Sequence, residues 1–216
     1  AASTGIKAYA DPTLQRAGIA PVEVPIPEAT ADVTTVVAPA LQSNAPDAVI
    51  SLLTGPGCIS VMKLRTGPEA TKPFLFPAMC TDADVVADAG ASAAGSLFVR
   101  QTIALDKANP DVKTYRKALD RFAPDADPDD VYVQAGFAGV MNLASALRLV
   151  PVGTPIDAAS TTTALRATKQ VPMFLTPGAT YSCDGSAYTG LRSLCSIQAH
   201  VVEYQGKKQW TDKGVF

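Results

Sequence analysis

Helix-like and strand-like segments alternate along the chain from Thr30 to Ile103. Behind Thr30, a predicted N-cap, apolar residues recur at helical spacing over Val33–Leu41. The short apolar run Ala48–Leu53 follows and predicts a central strand. The same alternation then predicts a helix over Ile59–Leu64, a strand over Phe74–Ala78, a helix over Asp82–Ala91 and a strand over Ser96–Ile103. The expected fold class is therefore α/β, with a parallel sheet flanked by helices.

Upstream of this region the pattern is weaker. Residues Ile6–Ala17 predict a helix that Pro12 interrupts. In the segment that follows, prolines alternate with Val22, Val24 and Ile26. Because proline cannot donate to a strand ladder, this segment suits only the edge of a sheet.

After Ala104 three predicted helices follow one another, each behind a proline-containing cap. The caps are Asn109-Pro110-Asp111, Asp127-Pro128-Asp129-Asp130 and Thr154-Pro155-Ile156-Asp157. The first helix has an apolar face made by Val112, Tyr115, Leu119 and Phe122. The second, Val131–Leu149, reads as a buried helix in which Tyr132 belongs to the core. The tail turns to β structure, with Ile197–Tyr204 and Lys208–Trp210 flanking Gln205-Gly206 as a hairpin that Trp210 covers.

Composition restricts the class of partner. The 216 residues are 47% hydrophobic, which suits a water-soluble globular protein with one good core or two small ones. The net charge is -2 and no basic cluster follows a phosphate backbone, so nucleic acid is not expected as a partner. The longest apolar stretch, Val131–Val150, contains Gln134 and Arg148 and is not expected to span a membrane. No leader-like segment opens the chain at Ala1, so any export signal has been removed or was never included.

The four cysteines indicate the compartment. Four cysteines can pair in three ways, and sequence alone leaves the choice open. Cys183 and Cys195 bracket a loop rich in turn-forming residues, while Cys58 and Cys80 each follow a predicted strand whose ends share one edge of the sheet. We therefore predict the disulfides Cys58–Cys80 and Cys183–Cys195. The alternatives are four free thiols in a cytosolic protein, or a zinc site, which the lack of CxxC spacing and the single histidine, His200, disfavour.

Several local strings occur in an order that resembles the carboxy-terminal part of the type 1 periplasmic binding proteins of branched-chain amino-acid ABC transporters. No single string is diagnostic, and the order across nearly the whole chain supports the resemblance. The strings are Ala45–Ile50, Lys72–Phe76, Ala93–Val99, Asn109–Val112 and Tyr132–Leu147.

The resemblance implies a domain arrangement and a function. Residues 1–103 and 179–216 would form the carboxy-terminal α/β lobe, and the helical segment 104–178 would pack on an amino-terminal lobe. The expected function is a periplasmic or extracellular solute-binding component of an ABC importer. It would capture an amino acid or other small acid between two lobes, present it to a membrane permease and use no cofactor. A lipid anchor through an upstream amino terminus is compatible with this role.

Ligands of open α/β sheets bind at the carboxyl ends of the strands, so the loops after Leu53 and Ala78 are the expected site. The first loop, Thr54–Gly57, has a hydroxyl and backbone amides at the start of a helix, and these groups could bind the carboxylate of a ligand. An ordinary strand-to-helix turn is an equal alternative. In the second loop, Met79 is an adaptable apolar side chain and Asp82 either faces a ligand ammonium or serves as a helix N-cap. The expected ligand-binding residues are Thr54, Gly55, Pro56, Gly57, Ala78, Met79, Thr81, Asp82, Gln101 and Thr102.

Catalysis finds little support in the sequence. His200 lies in a strand-like run with no nucleophile at a suggestive spacing, and the phosphate-binding, dinucleotide-binding and HExxH motifs are absent. Asp129-Asp130 reads as a helix start and not as a hydrolytic pair. A binding protein is therefore expected, with no catalytic residue and no metal. The alternatives are a ligand-sensing domain of a receptor or regulator with the same fold, and a cytosolic α/β enzyme.

Overall fold

The structure is a computed structural model that describes residues 10–27, 30, 32–103 and 105–216. The chain divides into two compact units, Ala1–Ser96 and Leu97–Phe216. In the first unit, helices flank a parallel strand pair, and in the second, helices are followed by antiparallel strands. The predicted α/β class is confirmed. The assignment of 1–103 and 179–216 to one lobe, and of 104–178 to contact with another, stays a prediction.

The first unit follows the predicted order of elements with shifted bounds. Its elements are α1 (Thr34–Asn44), β1 (Val49–Ile50), α2 (Pro56–Lys63), β2 (Phe74–Pro77) and α3 (Ala83–Ala89), with 3-10 turns at Gly67–Thr71, Ala78–Thr81 and Gly90–Ala93. Residues 10–16 are helical through Pro12, so the predicted interruption is wrong there. Residues 6–9 of that prediction lie outside the described part of the chain. The segment 19–27 has no regular strand.

Two predictions for the first unit need correction. Thr30 does not cap α1, because the carboxylate of Asp32 accepts the Thr34 amide at 2.9 Å and the Thr34 hydroxyl at 2.6 Å. These bonds, the hydroxyl bond first, lower the pKa of Asp32. The run Ala48–Leu53 is not a central strand either. Only Val49–Ile50 is regular, it pairs with β2 alone among the described residues, and the side chains of Ile50 and Leu52 remain more than half exposed.

The helices of the second unit confirm the predicted N-cap Asn109, while in the second predicted cap segment, Asp127–Asp130, the N-cap is the last residue, Asp130, and not the residue before the proline. These helices are α4 (Pro110–Phe122), α5 (Val131–Leu147) and α6 (Ala158–Ala167). Asn109 accepts the amide of Asp111 at 2.8 Å, and Asp130 accepts that of Tyr132 at 2.7 Å. The third cap is Asp157 and not Thr154, because Asp157 and Ser160 form a reciprocal capping box. The Ser160 amide is the main cause of a lowered Asp157 pKa.

The helix α5 is buried on one face only. Its neighbour α4 contributes Val112 and Tyr115 to a core with Ala138 and Leu175. Burial raises the pKa of Tyr115 to about 12. The prediction of a buried α5 is wrong, because one face of this helix is exposed to solvent. The core positions predicted for Phe122 and Tyr132 are wrong as well, since both side chains are mostly exposed. The exposed side chains are Phe122, Tyr132, Val140 and Leu143. In the described part of the chain, no helix is long and apolar enough to span a membrane.

The strands of the second unit form two antiparallel groups. These are β3 (Leu97–Arg100) with β6 (His200–Gly206) and β7 (Gln209–Val215), and the short pair β4 (Val171–Pro172) and β5 (Thr180–Tyr181). The hairpin is confirmed, but its turn is Lys207-Lys208, where both residues have positive φ, and not Gln205-Gly206. Trp210 packs against Phe98 at 5.4 Å and Tyr204 at 4.8 Å between ring centroids, as predicted for a covering residue.

The cap of α4 gives a stability test. Asn109→Ala removes the acceptor for two helix amides, so we expect a loss of about 1 kcal/mol in the free energy of unfolding. Urea denaturation measures it. Lys113→Ala, at an exposed position of the same helix, is the control and should change stability by less than about 0.5 kcal/mol. Equal effects of the two substitutions would show that the cap contributes nothing.

Candidate functional site

Both predicted disulfides are present. The Cα atoms of Cys58 and Cys80 lie 5.8 Å apart, and those of Cys183 and Cys195 lie 4.2 Å apart. Cys58 belongs to the first turn of α2, and Cys80 to the 3-10 turn that follows β2. The reasoning from adjacent strand ends was therefore sound for the first pair. The chain holds four cysteines, and both disulfides fit an oxidising compartment.

The loop after β1 turns sharply into α2. Gly55 is the N-cap residue at φ 45° and ψ -117°, a conformation open to glycine and strained for other residues. Pro56 occupies the first helical position, where a missing amide costs nothing. A Cβ on Gly57 would stand 2.9 Å from the Cβ of Leu53. Both glycines are thus required by the turn itself, and the contribution of Leu53 was missed from the sequence.

The amides of this loop differ in what they can offer to a ligand. Gly57 donates to the carbonyl of Thr54, and Cys58 to that of Gly55, both at 3.0 Å. Among the described residues, the amides of Thr54 and Gly55 donate to no protein acceptor. Thr54 is also exposed, so its hydroxyl reaches solvent. Within the described part of the chain, the loop therefore leaves these two amides and one hydroxyl without a protein acceptor, at the positive end of the α2 dipole.

The loop after β2 is a 3-10 turn that leads into α3. Ala78 and Met79 are partly exposed, whereas Thr81 is buried and its hydroxyl donates to the Ala78 carbonyl at 2.7 Å. That hydroxyl stabilises the turn. Asp82 is the N-cap residue of α3 but makes no side-chain capping bond. The structure thus brings residues 54–57 and 78–82 together through the disulfide Cys58–Cys80.

Gln101 and Thr102 belong to the second unit, where they follow β3. Gln101 is exposed, and its carbonyl accepts the Thr176 hydroxyl at 2.6 Å, while Thr102 is buried. The next amide, that of Ile103, donates to the carbonyl of Leu175 at 2.8 Å. The segment 101–103 is thus fastened alongside residues 175–176.

His200 is a core residue with two hydrogen-bond partners. It is 2% exposed, and its Nδ1 lies 2.9 Å from Asp212 Oδ1 and its Nε2 lies 3.0 Å from the Pro177 carbonyl oxygen. These contacts join β6 to β7 and to the loop between β4 and β5. They agree with the structural interpretation of this histidine. Within the described residues, no group of three or more His, Cys, Asp or Glu side chains could hold a metal ion.

The tight packing at Gly57 gives a second stability test. We expect Gly57→Ala to lower the free energy of unfolding by about 1 to 3 kcal/mol, because the new methyl group collides with the Leu53 Cβ. Gly136→Ala is the matched control, since it adds the same methyl group within α5 with no atom inside 4 Å. That change should stabilise by roughly 0.5 to 1 kcal/mol. Opposite signs in thermal unfolding are expected, and two stabilising changes would contradict the packing at Gly57.

Comparison with known proteins agrees with this architecture. The family model for periplasmic binding proteins matches residues 1–194, and the chain belongs to that family. No curated protein matches the chain.

Three similar solved structures illustrate the fold. A leucine-binding protein of Thermotoga maritima MSB8 has 14% identity and a TM-score of 0.69, with 99% of this chain and 57% of that chain covered. A branched-chain amino acid ABC transporter protein of Thermus thermophilus with bound valine has 14% identity and a TM-score of 0.67, at 96% and 55% coverage. A solute-binding protein of R. palustris in complex with benzoate has 19% identity and a TM-score of 0.56, at 88% and 48% coverage. The chain therefore spans about half the length of these proteins.

Proposed function

We propose that this protein is the solute-binding component of an ABC importer in the periplasm or outside the cell. It captures a small carboxylic acid, such as an amino acid, between two lobes and presents the closed form to the membrane permease. The supporting observation is the family match over residues 1–194, joined to two strand-end loops linked side by side. A catalytic role is not part of the proposal.

The chemistry of the first loop suits a carboxylate. The amides of Thr54 and Gly55 and the Thr54 hydroxyl would each donate to a carboxylate oxygen, and charge-assisted bonds of this kind are among the stronger hydrogen bonds. Valine and benzoate, found in two similar proteins, share a carboxylate. This common group supports a small acid as the ligand class.

The second loop would distinguish between acids. Met79 offers an adaptable apolar surface for a side chain or ring, and Asp82 a carboxylate for an ammonium group. An amino acid would use both residues, whereas an aromatic acid would use Met79 alone. The remaining proposed contacts are Pro56, Gly57, Ala78, Thr81, Gln101 and Thr102.

Calorimetric titration with L-valine, L-leucine and benzoate tests the proposal. The titration uses the two-lobed protein, by which we mean this chain together with the amino-terminal lobe that the proposal requires. We expect at least one of the three acids to bind it, and the neutral amide of that acid to bind at least tenfold more weakly. A tenfold loss corresponds to about 1.4 kcal/mol, close to the lower limit of the roughly 1.5 to 3 kcal/mol that a hydrogen bond to a charged group contributes. Binding of none of the three acids, or equal binding of the acid and its amide, would contradict a carboxylate site.

A further inference from the structure

The disulfide Cys58–Cys80 lies beneath the two loops of the candidate site. Both cysteines are fully buried. Cys58 is the third residue of α2, and Cys80 the third residue of the 3-10 turn Ala78–Thr81. The disulfide therefore joins the first turn of α2, the helix that follows β1, to the 3-10 turn that follows β2.

The same disulfide also contacts the end of β1. The Sγ atoms of Cys58 and Cys80 lie 3.4 and 3.6 Å from the carbonyl oxygen of Leu53. A disulfide sulfur has no proton to donate, so these are packing contacts. Leu53 directly precedes Thr54, whose amide belongs to the proposed carboxylate site. Three stretches of backbone thus meet at one buried sulfur pair.

The strand pairing alone holds these loops only at their base. The parallel register covers Val49 with Phe74 and Ile50 with Leu75, and the Ser51 amide donates to the Leu75 carbonyl at 2.9 Å. After this point β1 has ended, whereas β2 continues to Pro77, so among the described residues no further ladder bond joins the two segments. From Leu53 onward the disulfide is the covalent connection between them.

We propose that the Cys58–Cys80 disulfide is a positioning strut that holds loops 54–57 and 78–82 as one preorganised ligand platform. This inference rests on the proposed function, because the platform matters only if both loops contact the ligand. When the loops are already fixed, ligand binding does not have to order them, so less conformational entropy is lost on binding and the affinity is higher. Loss of the strut therefore weakens binding even where the protein remains fully folded.

The second disulfide supplies a matched control. Cys183 and Cys195 are 12 residues apart in sequence, and Cys58 and Cys80 are 22 apart. In the loop-entropy model, stabilisation grows only with the logarithm of loop length, so the two bonds should stabilise the fold similarly. Cys183–Cys195 closes a turn-rich loop in the other unit, which contains neither of the segments 54–57 and 78–82.

The test compares Cys58→Ala/Cys80→Ala with Cys183→Ala/Cys195→Ala in the full protein. Each is studied well below its own unfolding temperature. Amide hydrogen exchange at residues 57–59, whose amides are bonded within the turn, and at residues 78–82 is the first readout and needs no ligand. We expect at least tenfold faster exchange there in the first variant and no change in the second. Should the first variant not fold, Cys58→Ala/Cys80→Val restores buried volume without the bond and takes its place.

Affinity for L-valine, L-leucine or benzoate, whichever the unaltered protein binds in the titration above, is the second readout. We expect about a tenfold loss on removing Cys58–Cys80 and less than a twofold change on removing Cys183–Cys195. Unchanged exchange in both loops, or equal affinity losses in the two variants, overturns the strut. If the unaltered protein binds none of the three acids, the proposed function fails, and hydrogen exchange still decides whether the bond fixes the loops.

Discussion

Thr54→Trp should weaken ligand binding at least 100-fold, which corresponds to about 2.7 kcal/mol. Thr54 is exposed and has no positive φ, so an indole can be placed there without backbone strain. It would occupy the space above the Thr54 and Gly55 amides and remove the hydroxyl. The fold should stay intact, because exposed substitutions usually change stability by less than about 0.5 kcal/mol.

The control for this prediction is Lys113→Trp. Lys113 is exposed on α4, outside the strand-end loops, and the same bulk there should leave affinity unchanged. Calorimetric titration of both variants with the acid that the unaltered protein binds makes the comparison. Full affinity in Thr54→Trp together with a loss in Lys113→Trp would move the site to the helical segment.

Structure could be predicted best where a local chemical rule acts alone. Asn109 and Asp130 each precede a helix with an oxygen that accepts two amides. Asn109 was predicted as the cap, and Asp130 belongs to the predicted cap segment Asp127–Asp130. The disulfide Cys58–Cys80 followed from the shared edge of neighbouring parallel strands. In these cases a few residues contain all the information that the prediction needs.

Predictions failed where the local structure depends on packing between distant residues or on unusual backbone angles. Gln205-Gly206 looks like a turn, yet β6 continues through Gly206, and the two loop residues are Lys207 and Lys208. Both lysines have positive φ, which their residue type does not favour. The apolar α5 was predicted to be buried, yet Tyr132 is 62% exposed. The apolar composition of a helix shows how much of its surface could be buried, but which faces are buried depends on the elements that pack against it.

The candidate site was predicted at the level of loops and less well at the level of atoms. The carboxyl ends of β1 and β2 were identified from the general rule for open sheets. The sequence did not reveal that the amides of Gly57 and Cys58 are used within the turn, nor that the Thr81 hydroxyl bonds to Ala78. Hydrogen-bond pairing inside a tight turn depends on its backbone angles, which the residue types only restrict.

The account further predicts that the 216-residue chain alone binds its solute far more weakly than the two-lobed protein. Small-ligand sites bury roughly 70 to 90% of the ligand surface, and one set of strand-end loops leaves one side of the ligand in water. Each polar group of the ligand left without a partner on desolvation costs about 1 to 3 kcal/mol. Two such groups correspond to a loss of at least about 30-fold in affinity.

Helix α5 should also differ between the chain alone and the two-lobed protein. The exposed apolar side chains of α5, Val140 at 67% and Leu143 at 39%, are expected to be covered by the other lobe. In the two-lobed protein we therefore expect slower amide hydrogen exchange in α5 than in the chain alone. Equal exchange in the two proteins would show that this face is not a lobe contact.

A pair of calorimetric titrations with the same acid, one on this chain and one on the two-lobed protein, tests most directly whether the ligand is bound between two lobes. The account predicts that the two-lobed protein binds at least about 30-fold more tightly, because partners from both lobes surround the ligand. Equal affinity would contradict it and would place the whole binding site within these 216 residues.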